Sequence, residues 1–219
     1  PEHIPSNICF DMIEIYKNNE DSAKVWRDTK PYSQNYKIVG KGFVPQDDEF
    51  FSDEFSEKNM GSILDDASLL NLDSSKISLS QLDGSYRFIS YVFSRCPMPN
   101  LCPAIVLKNA ALVNQFPEIN FIMISFDYKH DTPTVLNKSY GPSVNSYSNW
   151  DAWSSTGNIE DVYKLVRQSG GNFWGIEQEK IGHTLSSVLI GKDREVLGVW
   201  KGEDWKVDEI SNAIKLLTK

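Results

Sequence analysis

Two cysteines at one turn are the residues of this chain best suited to chemistry. Cys96 and Cys102 end an apolar run in the segment YVFSRCPMPNLCP, and a helix-like apolar pattern follows at once. Backbone N–H groups at the start of a helix have no intrahelical partner, so thiols placed there are favoured as thiolates. A thiolate is both a nucleophile and a soft metal ligand. We therefore predict a redox dithiol or a metal site, with a structural disulfide or two buried cysteines as the alternative.

The cysteine turn is expected to lead directly into a helix. Pro103 suits the first helical position, because its missing N–H group is not needed there. Five apolar residues can form one buried stripe along this helix. They are Ile105, Val106, Leu112, Val113 and Phe116. The cysteines would then lie between the end of a strand and the positive end of a helix.

The segments on either side of this turn predict a βαβ unit. Residues 86–93 (YRFISYVF) and 120–127 (NFIMISFD) have the continuous apolar character of buried strands, and the helix lies between them. Such a unit is right-handed with parallel strands. Cys96 would lie at the carboxyl end of the first strand, where open α/β sheets place their sites.

The rest of this half extends the unit into a thioredoxin-like arrangement. We expect a helix over residues 133–140 that Asp131-Thr132-Pro133 caps, and a loop rich in Ser, Asn and Trp over residues 141–157. A helix over residues 159–166, a hairpin over residues 185–200 and a helix over residues 205–217 follow. The predicted class is α/β, a thioredoxin-like fold whose central mixed sheet is flanked by helices.

The first 75 residues differ in composition and are expected to form a small β-rich module or extension. They carry 7 basic and 15 acidic side chains, whereas residues 76–219 carry 15 of each. Alternating patterns predict strands over residues 8–12 and 36–44, the second with a bulge at Gly40 and Gly42. The acidic run over residues 47–57 has no calcium-loop spacing, so we interpret it as a solvated loop. We predict a boundary at residues 73–76, with the thioredoxin-like domain over residues 76–219.

Charge and hydropathy exclude several classes of partner. The net charge is −8, whereas binding to nucleic acid or acidic lipid needs clustered Lys and Arg. No stretch approaches about 18 consecutive apolar residues, so no segment of this chain is expected to insert into a membrane. With 40% hydrophobic residues, the chain is long enough to bury a sizeable core.

Three sequence blocks together resemble the Sco/SenC family of copper-binding, thioredoxin-like assembly proteins. The blocks are FSRCPMPNLCP, SFDYKHDTP and IGHTLSSVLIGKDREVLGVW, in the order the family has them. The resemblance covers about residues 76–219. One departure is the spacing of the cysteines, since the commonest pattern of the family places three residues between them and this chain places five.

The resemblance implies a set of site residues. Cys96, Cys102 and His183 carry over as ligands of copper, either Cu(I) or Cu(II). Soft thiolates select Cu(I), imidazole accommodates both oxidation states, and three ligands leave a position from which a partner can take the ion. The alternative for His183 is a hydrogen-bonded core histidine. Asp127 and Asp131 match the acidic turn of the family and would orient a ligand or form part of a docking surface, although helix capping explains Asp131 equally well.

The remaining soft or titratable residues are interpreted without a role in the site. Met98 lies inside the cysteine turn, but methionine is commonly a gap filler. His130 is expected in a surface loop, and His3 lies close to the terminus. Cys9 is a buried, lipidated or free thiol, and one sequence does not choose among these.

Three functions compete on these residues. The resemblance implies a copper chaperone that delivers copper to the dinuclear copper site of cytochrome c oxidase or a related copper enzyme, or reduces its cysteines. Its partners would be a copper-receiving oxidase subunit or other copper protein, and a thiol reductant protein. The alternatives are enzymes, a metal-free thiol–disulfide oxidoreductase and a thiol peroxidase.

Two absences favour the chaperone. Thioredoxin-like redox enzymes ordinarily carry a cis-proline before the late hairpin, but the last proline here is Pro142. A peroxidase would need a Thr shortly before its reactive cysteine, and residues 91–95 contain none. Metal binding is therefore favoured over both redox functions.

The expected location follows from the resemblance. Similar proteins face the periplasm or the mitochondrial intermembrane space and are usually tethered by one N-terminal helix. The chain begins with Pro1 rather than Met, which predicts a processed form with room for a removed leader or anchor. We expect a periplasmic protein anchored to the membrane by a segment that precedes this chain.

Overall fold

The structure is a computed structural model that describes residues 36–39, 42–45, 57–98, 100–177, 181–184, 186–202 and 204–218. The chain forms two compact units, Pro1–Asp53 and Glu54–Lys219. In the first unit β1 (Tyr36–Val39) and β2 (Gly42–Pro45) pair antiparallel. The single strand expected over residues 36–44 is therefore two strands that pair with each other. The strand expected over residues 8–12 and most of the acidic run lie outside the described residues.

The second unit is built on a mixed sheet of seven strands. The strands of this unit are β3 (Ser68–Leu70), β4 (Lys76–Ser78), β5 (Tyr86–Val92), β6 (Ile119–Ser125), β7 (Trp150–Ser154), β8 (Asn172–Trp174), β9 (Gly182–Thr184), β10 (Ser186–Ile190) and β11 (Val196–Lys201), and seven of them form the sheet. The order in the sheet is β11-β10-β5-β6-β7-β3-β4, and β8 and β9 form a separate antiparallel pair. The central strands β5, β6 and β7 are parallel, and the outer strands pair antiparallel.

Helices connect the parallel strands and cover the sheet. They are α1 (Cys102–Val113), α2 (Pro133–Val144), α3 (Ile159–Gln168) and α4 (Val207–Leu217), with a 3-10 helix at Leu79–Leu82. Helix α1 contacts β5, β6 and α4, whereas α3 contacts β3 and β8. The predicted α/β class, a thioredoxin-like mixed sheet flanked by helices, is confirmed. None of the described helices is long and apolar enough to cross a lipid bilayer.

The core lies between the central strands and these helices. Strands β5 and β6 are almost entirely buried, which explains their continuous apolar sequence, since a parallel sheet is covered on both faces. The Phe88 ring on β5 lies 5.7 Å from the Phe121 ring on β6 and 6.0 Å from the Trp205 ring, which precedes α4. This packing forms the core around β5, and the cysteine turn leaves from the carboxyl end of that strand.

Strand β7 corrects the expectation of a loop over residues 141–157. Residues 150–154 (WDAWS) pair parallel with β6, with Phe121 opposite Trp150 and Ser125 opposite Ser154. Trp150 and Trp153 are buried, and the Trp153 indole N–H donates to the Asp151 carboxylate at 2.9 Å. The prediction was wrong because the Ser-rich and Asn-rich flanks resemble a loop, whereas burial beside β6 decides the conformation. Helix α2 likewise extends beyond residue 140 to Val144.

The boundary expected at residues 73–76 falls inside the main sheet, between β3 and β4. Strand β3 pairs with β7 at Leu70 and Ser154, and Leu64 and Leu69 are fully buried. An acidic residue of this segment is also bonded to a helix of the unit. The Asp65 carboxylate accepts a hydrogen bond of 2.7 Å from the Gln168 amide of α3.

Candidate metal centre

The cysteine turn joins β5 to α1. Cys96 is half-buried in the turn, Cys102 is the buried first residue of α1, and both are free thiols. Pro103 lies in the first turn of the helix, as the sequence predicted. The turn is closed by the Leu101 N–H, which donates to the Met98 carbonyl at 3.1 Å. Strand, turn and helix therefore bring both thiols to one edge of the sheet.

The hairpin of β8 and β9 brings His183 to the same place. His183 is opposite Phe173 in the hairpin, and its ring lies 5.3 Å from the Phe93 ring and 5.4 Å from the Phe126 ring. The Phe126 ring stacks on Phe173 at 5.1 Å. The imidazole is thus held among aromatic rings from β8 and from the ends of β5 and β6. Its Nδ1 atom is buried and has no hydrogen-bond partner in the described part of the chain.

Cys96, Cys102 and His183 form a group whose ligand atoms all lie within 4.8 Å of one another. Two ligands of one ion are separated by up to roughly twice a metal–thiolate bond of about 2.3 Å, so this spacing fits a single ion. Two thiol groups and one imidazole suit a soft metal such as Cu(I). An unpartnered buried imidazole nitrogen would otherwise be costly, and a metal ion would satisfy it. Among the described residues this is the one such group of His, Cys, Asp and Glu side chains.

The two thiols differ in acidity. The pKa of Cys96 is lowered, first because the Cys102 thiol donates to it, and further by hydrogen bonds from the His183 ring and the Cys102 backbone N–H. The pKa of Cys102 is raised, first by donating to Cys96 and then by burial and the charge on Cys96. These shifts favour a thiolate on Cys96 and a protonated thiol on Cys102. The helix start acts on Cys96, which precedes the helix, through the N–H group of Cys102.

Asp127 and Asp131 lie outside the three-residue group but contact the residues just before Cys96. Asp127 is fully buried, and its carboxylate accepts from the Arg95 guanidinium Nε at 2.6 Å. Asp131 is also fully buried and accepts from the Ser94 backbone N–H at 2.8 Å. Two fully buried carboxylates are not exposed for docking. Burial raises the pKa of Asp131, which hydrogen bonds from Ser125 and Ser94 oppose.

The helix cap assigned to Asp131 belongs to its neighbour. Thr132 precedes the first residue of α2, and its hydroxyl accepts from the Val135 N–H at 3.4 Å. The capping explanation for Asp131 is therefore wrong, because its carboxylate turns toward the cysteine turn and accepts from Ser94 instead. Pro133 occupies the first turn of α2 as expected.

Three residues around the site were not predicted from the sequence. The Tyr140 hydroxyl donates to the Phe93 carbonyl at 2.9 Å, and burial raises its pKa. Ser125 ends β6 and Ser154 ends β7, and both hydroxyls bond to Asp131. The position of Ser125 at the end of a predicted strand was a usable signal. Ser154 had none, because β7 itself was not predicted.

Four further soft or titratable residues were expected to have no role in the site. Met98 is exposed on the cysteine turn. His130 is exposed and lies outside the group of three, and its backbone N–H donates to the Asp127 carbonyl at 3.2 Å. His3 and Cys9 lie outside the described residues.

The mixed sheet and its helices define a thioredoxin-like fold. The two cysteines after β5 and the histidine of the β8–β9 hairpin give this fold a candidate thiolate–imidazole metal site. The SCO1/SenC family model matches residues 57–219, and the chain belongs to that family. No curated protein matches the chain.

Solved structures share the fold at low sequence identity. A SCO1/SenC family lipoprotein from Bacillus anthracis str. Ames is 21% identical, with a TM-score of 0.64 over 73% of this chain and 96% of that chain. Copper-bound ScoI from Arabidopsis thaliana is 17% identical, with a TM-score of 0.60 over 72% of this chain and 98% of that chain. BsSco is 21% identical, with a TM-score of 0.61 over 74% of this chain and 97% of that chain. It is described as a member of the Sco family of cytochrome c oxidase assembly proteins and has a disulfide switch.

Proposed function

We propose that this chain carries one copper ion as cargo, held by Cys96, Cys102 and His183, and hands it to a copper site in a partner protein. The observation that supports this most directly is the group itself, with three ligand atoms within 4.8 Å and a buried, unpartnered Nδ1 atom on the imidazole. A structure of the similar Arabidopsis ScoI has copper bound. The assignment of these three residues as ligands is part of the proposal.

The chemistry of the three side chains suits a carrier. Cys96 supplies a ready thiolate, and Cys102 becomes a second one when its proton is released on metal binding. Two thiolates and one imidazole favour Cu(I) and leave a position open for a ligand from the acceptor. Cys96 is half-buried, so an acceptor can approach it, whereas Cys102 and the aromatic rings shield the other side from water. We propose that Asp127 and Asp131 orient the cysteine turn from behind.

The proposed recipient is the dinuclear copper site of a cytochrome c oxidase or a related copper enzyme. BsSco belongs to a family of cytochrome c oxidase assembly proteins, which supports an oxidase subunit as the partner. The relative from Bacillus anthracis is a lipoprotein. We accordingly propose that this chain works outside the cytoplasm, in the periplasm or at an equivalent membrane face, and is anchored there.

A second function, thiol–disulfide exchange without metal, is supported by the unequal thiols. The Cys96 thiolate would attack a disulfide of a partner, and Cys102 would then displace the partner's thiol and form the Cys96–Cys102 disulfide. The partner disulfide is reduced by two electrons while this dithiol is oxidised. A disulfide switch is described for BsSco.

Titration with Cu(I) against a competing chelator tests the ligand assignment. We expect one ion per chain, loss of tight binding in Cys96→Ser and Cys102→Ser, and affinity weakened by about 10-fold to 100-fold in His183→Ala. His130→Ala is the matched control, because this exposed histidine lies outside the group, and its affinity should equal that of the wild type. If His183→Ala retains the wild-type affinity, the assignment fails and metal-free exchange becomes the better proposal.

A further inference from the structure

The three residues before Cys96 are each held by a different side chain. The Phe93 carbonyl accepts from the Tyr140 hydroxyl at 2.9 Å. Ser94 donates to the Asp131 carboxylate, and Arg95 donates to the Asp127 carboxylate. After Cys96 the turn changes character, since Pro97 and Met98 are exposed. The residues that lead into Cys96 are therefore held from the strand side, and the Cys96 Sγ atom also lies 3.8 Å from the Met98 carbonyl oxygen of the turn.

Asp131 makes the central and most extensive of these contacts. One carboxylate oxygen accepts from the Ser94 N–H at 2.8 Å and from the Ser125 hydroxyl at 2.5 Å, and the other accepts from the Ser94 hydroxyl. A buried carboxylate is stable only when donors satisfy it, and hydrogen bonds to a charged acceptor are stronger than those between neutral groups. The two donors from Ser94 hold both its backbone and its side chain.

The backbone of Asp131 is also held, by groups at and just beyond the ends of two parallel strands. The Ser154 hydroxyl at the end of β7 donates to the Asp131 carbonyl at 2.5 Å, and the Asp131 N–H donates to the Asp127 carbonyl at 2.9 Å. Ser125 at the end of β6 is opposite Ser154 in the sheet. Asp131 thus links the carboxyl ends of β6 and β7 to Ser94, the second residue after β5.

We propose that Asp131 is a positioning residue that acts through Ser94 and sets Cys96 beside Cys102 and His183 before a metal or a disulfide partner arrives. The metal part of the proposal rests on the proposed copper function. The part that concerns the Cys96–Cys102 disulfide does not depend on copper binding.

The test compares Ser94→Ala with Ser90→Ala. Ser90 is a fully buried serine of β5 whose hydroxyl lies 3.1 Å from the Ser187 hydroxyl, so both substitutions remove one side-chain hydroxyl contact. Ser94→Thr keeps the hydroxyl and serves as the rescue, and Asp131→Asn removes the charge. Each variant is measured for Cu(I) affinity, for the equilibrium constant of the Cys96–Cys102 disulfide against glutathione, and for unfolding by urea.

Positioning predicts that Ser94→Ala and Asp131→Asn lower Cu(I) affinity by about 10-fold or more and lower the disulfide equilibrium constant by a similar factor. Ser94→Thr and Ser90→Ala should keep wild-type values of both. If Ser94→Ala only loses stability, as Ser90→Ala does, with both constants unchanged, the proposal is overturned. If Asp131→Asn does not fold, Ser94→Ala decides. A wild-type chain that binds no Cu(I) overturns the copper function, and the disulfide constants then decide the positioning proposal alone.

Discussion

At the scale of single residues, the site depends on giving two identical side chains different acidities. Cys96 receives hydrogen bonds from Cys102, from the His183 ring and from a backbone N–H at the helix start, whereas Cys102 is buried beside the resulting charge. The pKa of Cys96 is lowered and the pKa of Cys102 is raised for these reasons. The difference leaves one nucleophile, half-buried at the edge of the site, and one protonated thiol behind it.

Alkylation of the metal-free, reduced protein as a function of pH measures this difference. Below its pKa of about 8.5, a free thiol reacts about tenfold more slowly for each unit by which the pH falls, because only the thiolate reacts. The lowered pKa keeps Cys96 ionised across this range, so its rate should change little between pH 6 and pH 8.5 and fall only at lower pH. Cys102, with its raised pKa, should stay unreactive.

The control is Cys96→Ser, which should abolish the fast reaction at pH 6. A rate for the wild type that rises tenfold per pH unit up to pH 8.5 would contradict the assignment of the thiolate to Cys96. A fast reaction that survives in Cys96→Ser would assign the thiolate to Cys102 instead.

At the scale of elements, the short hairpin of β8 and β9 positions the third candidate ligand. This pair does not belong to the seven-stranded sheet, and the Phe173 ring joins it to Phe126 and Tyr163 by aromatic contacts of 5.1 Å and 5.5 Å. Gly182 is opposite Trp174, so a Cβ atom at Gly182 would lie 2.4 Å from the Trp174 indole. The hairpin therefore needs a residue without a side chain directly before His183.

Gly182→Ala should consequently disturb the hairpin. The added methyl group overlaps the indole ring, so the indole or the strand must shift, at a cost of about 1–3 kcal/mol in the free energy of unfolding. Because His183 is the next residue, we also expect weaker Cu(I) binding. Urea unfolding and chelator competition measure the two effects.

Gly191→Ala is the matched control, since a Cβ atom there meets nothing closer than 3.5 Å. It should leave both the free energy of unfolding and the copper affinity close to wild-type values. Equal behaviour of the two variants would show that close contact between Gly182 and Trp174 does not position His183.

At the scale of the whole molecule, the segment before β4 is part of the domain that carries the site. Strand β3 pairs with β7, and the Lys58 N–H donates to the Gln168 carbonyl at the end of α3 at 2.9 Å. Leu64 and Leu69 are fully buried in this unit. We therefore propose that the folded domain starts near residue 57, where the match to the family also begins.

Two shortened chains test this boundary. A chain that begins at Glu57 should unfold cooperatively and bind Cu(I) as the full chain does. A chain that begins at Asp73 loses β3, Leu64 and Leu69. Removing a buried leucine side chain costs roughly 2–5 kcal/mol, a large part of the roughly 5–15 kcal/mol that stabilises a typical domain.

Thermal unfolding followed by circular dichroism distinguishes the two chains. The chain from Asp73 should melt at a much lower temperature or without cooperativity. If it melts like the chain from Glu57, the boundary lies at residues 73–76 after all, and β3 contributes little to the stability of the domain.

The strands and helices that depend on neighbouring residues along the chain could be predicted from the sequence. The strand before Cys96, the helix that starts at Cys102 and the strand of residues 119–125 follow from apolar runs and from proline at a helix start, which act within a few residues. The group of Cys96, Cys102 and His183 was named from its resemblance to a family, because no local pattern joins residues 81 positions apart.

The parts that depend on contacts between distant residues could not be predicted from local patterns. Strand β7 is a strand because it is buried beside β6, and β3 joins the domain because Leu70 pairs with Ser154. The contact of Asp131 with Ser94 spans 37 positions, and a carboxylate that follows a strand looks the same in sequence whether it caps a helix or holds a turn. The unequal acidity of the thiols likewise arises from which groups surround each sulfur atom, and packing alone sets those surroundings.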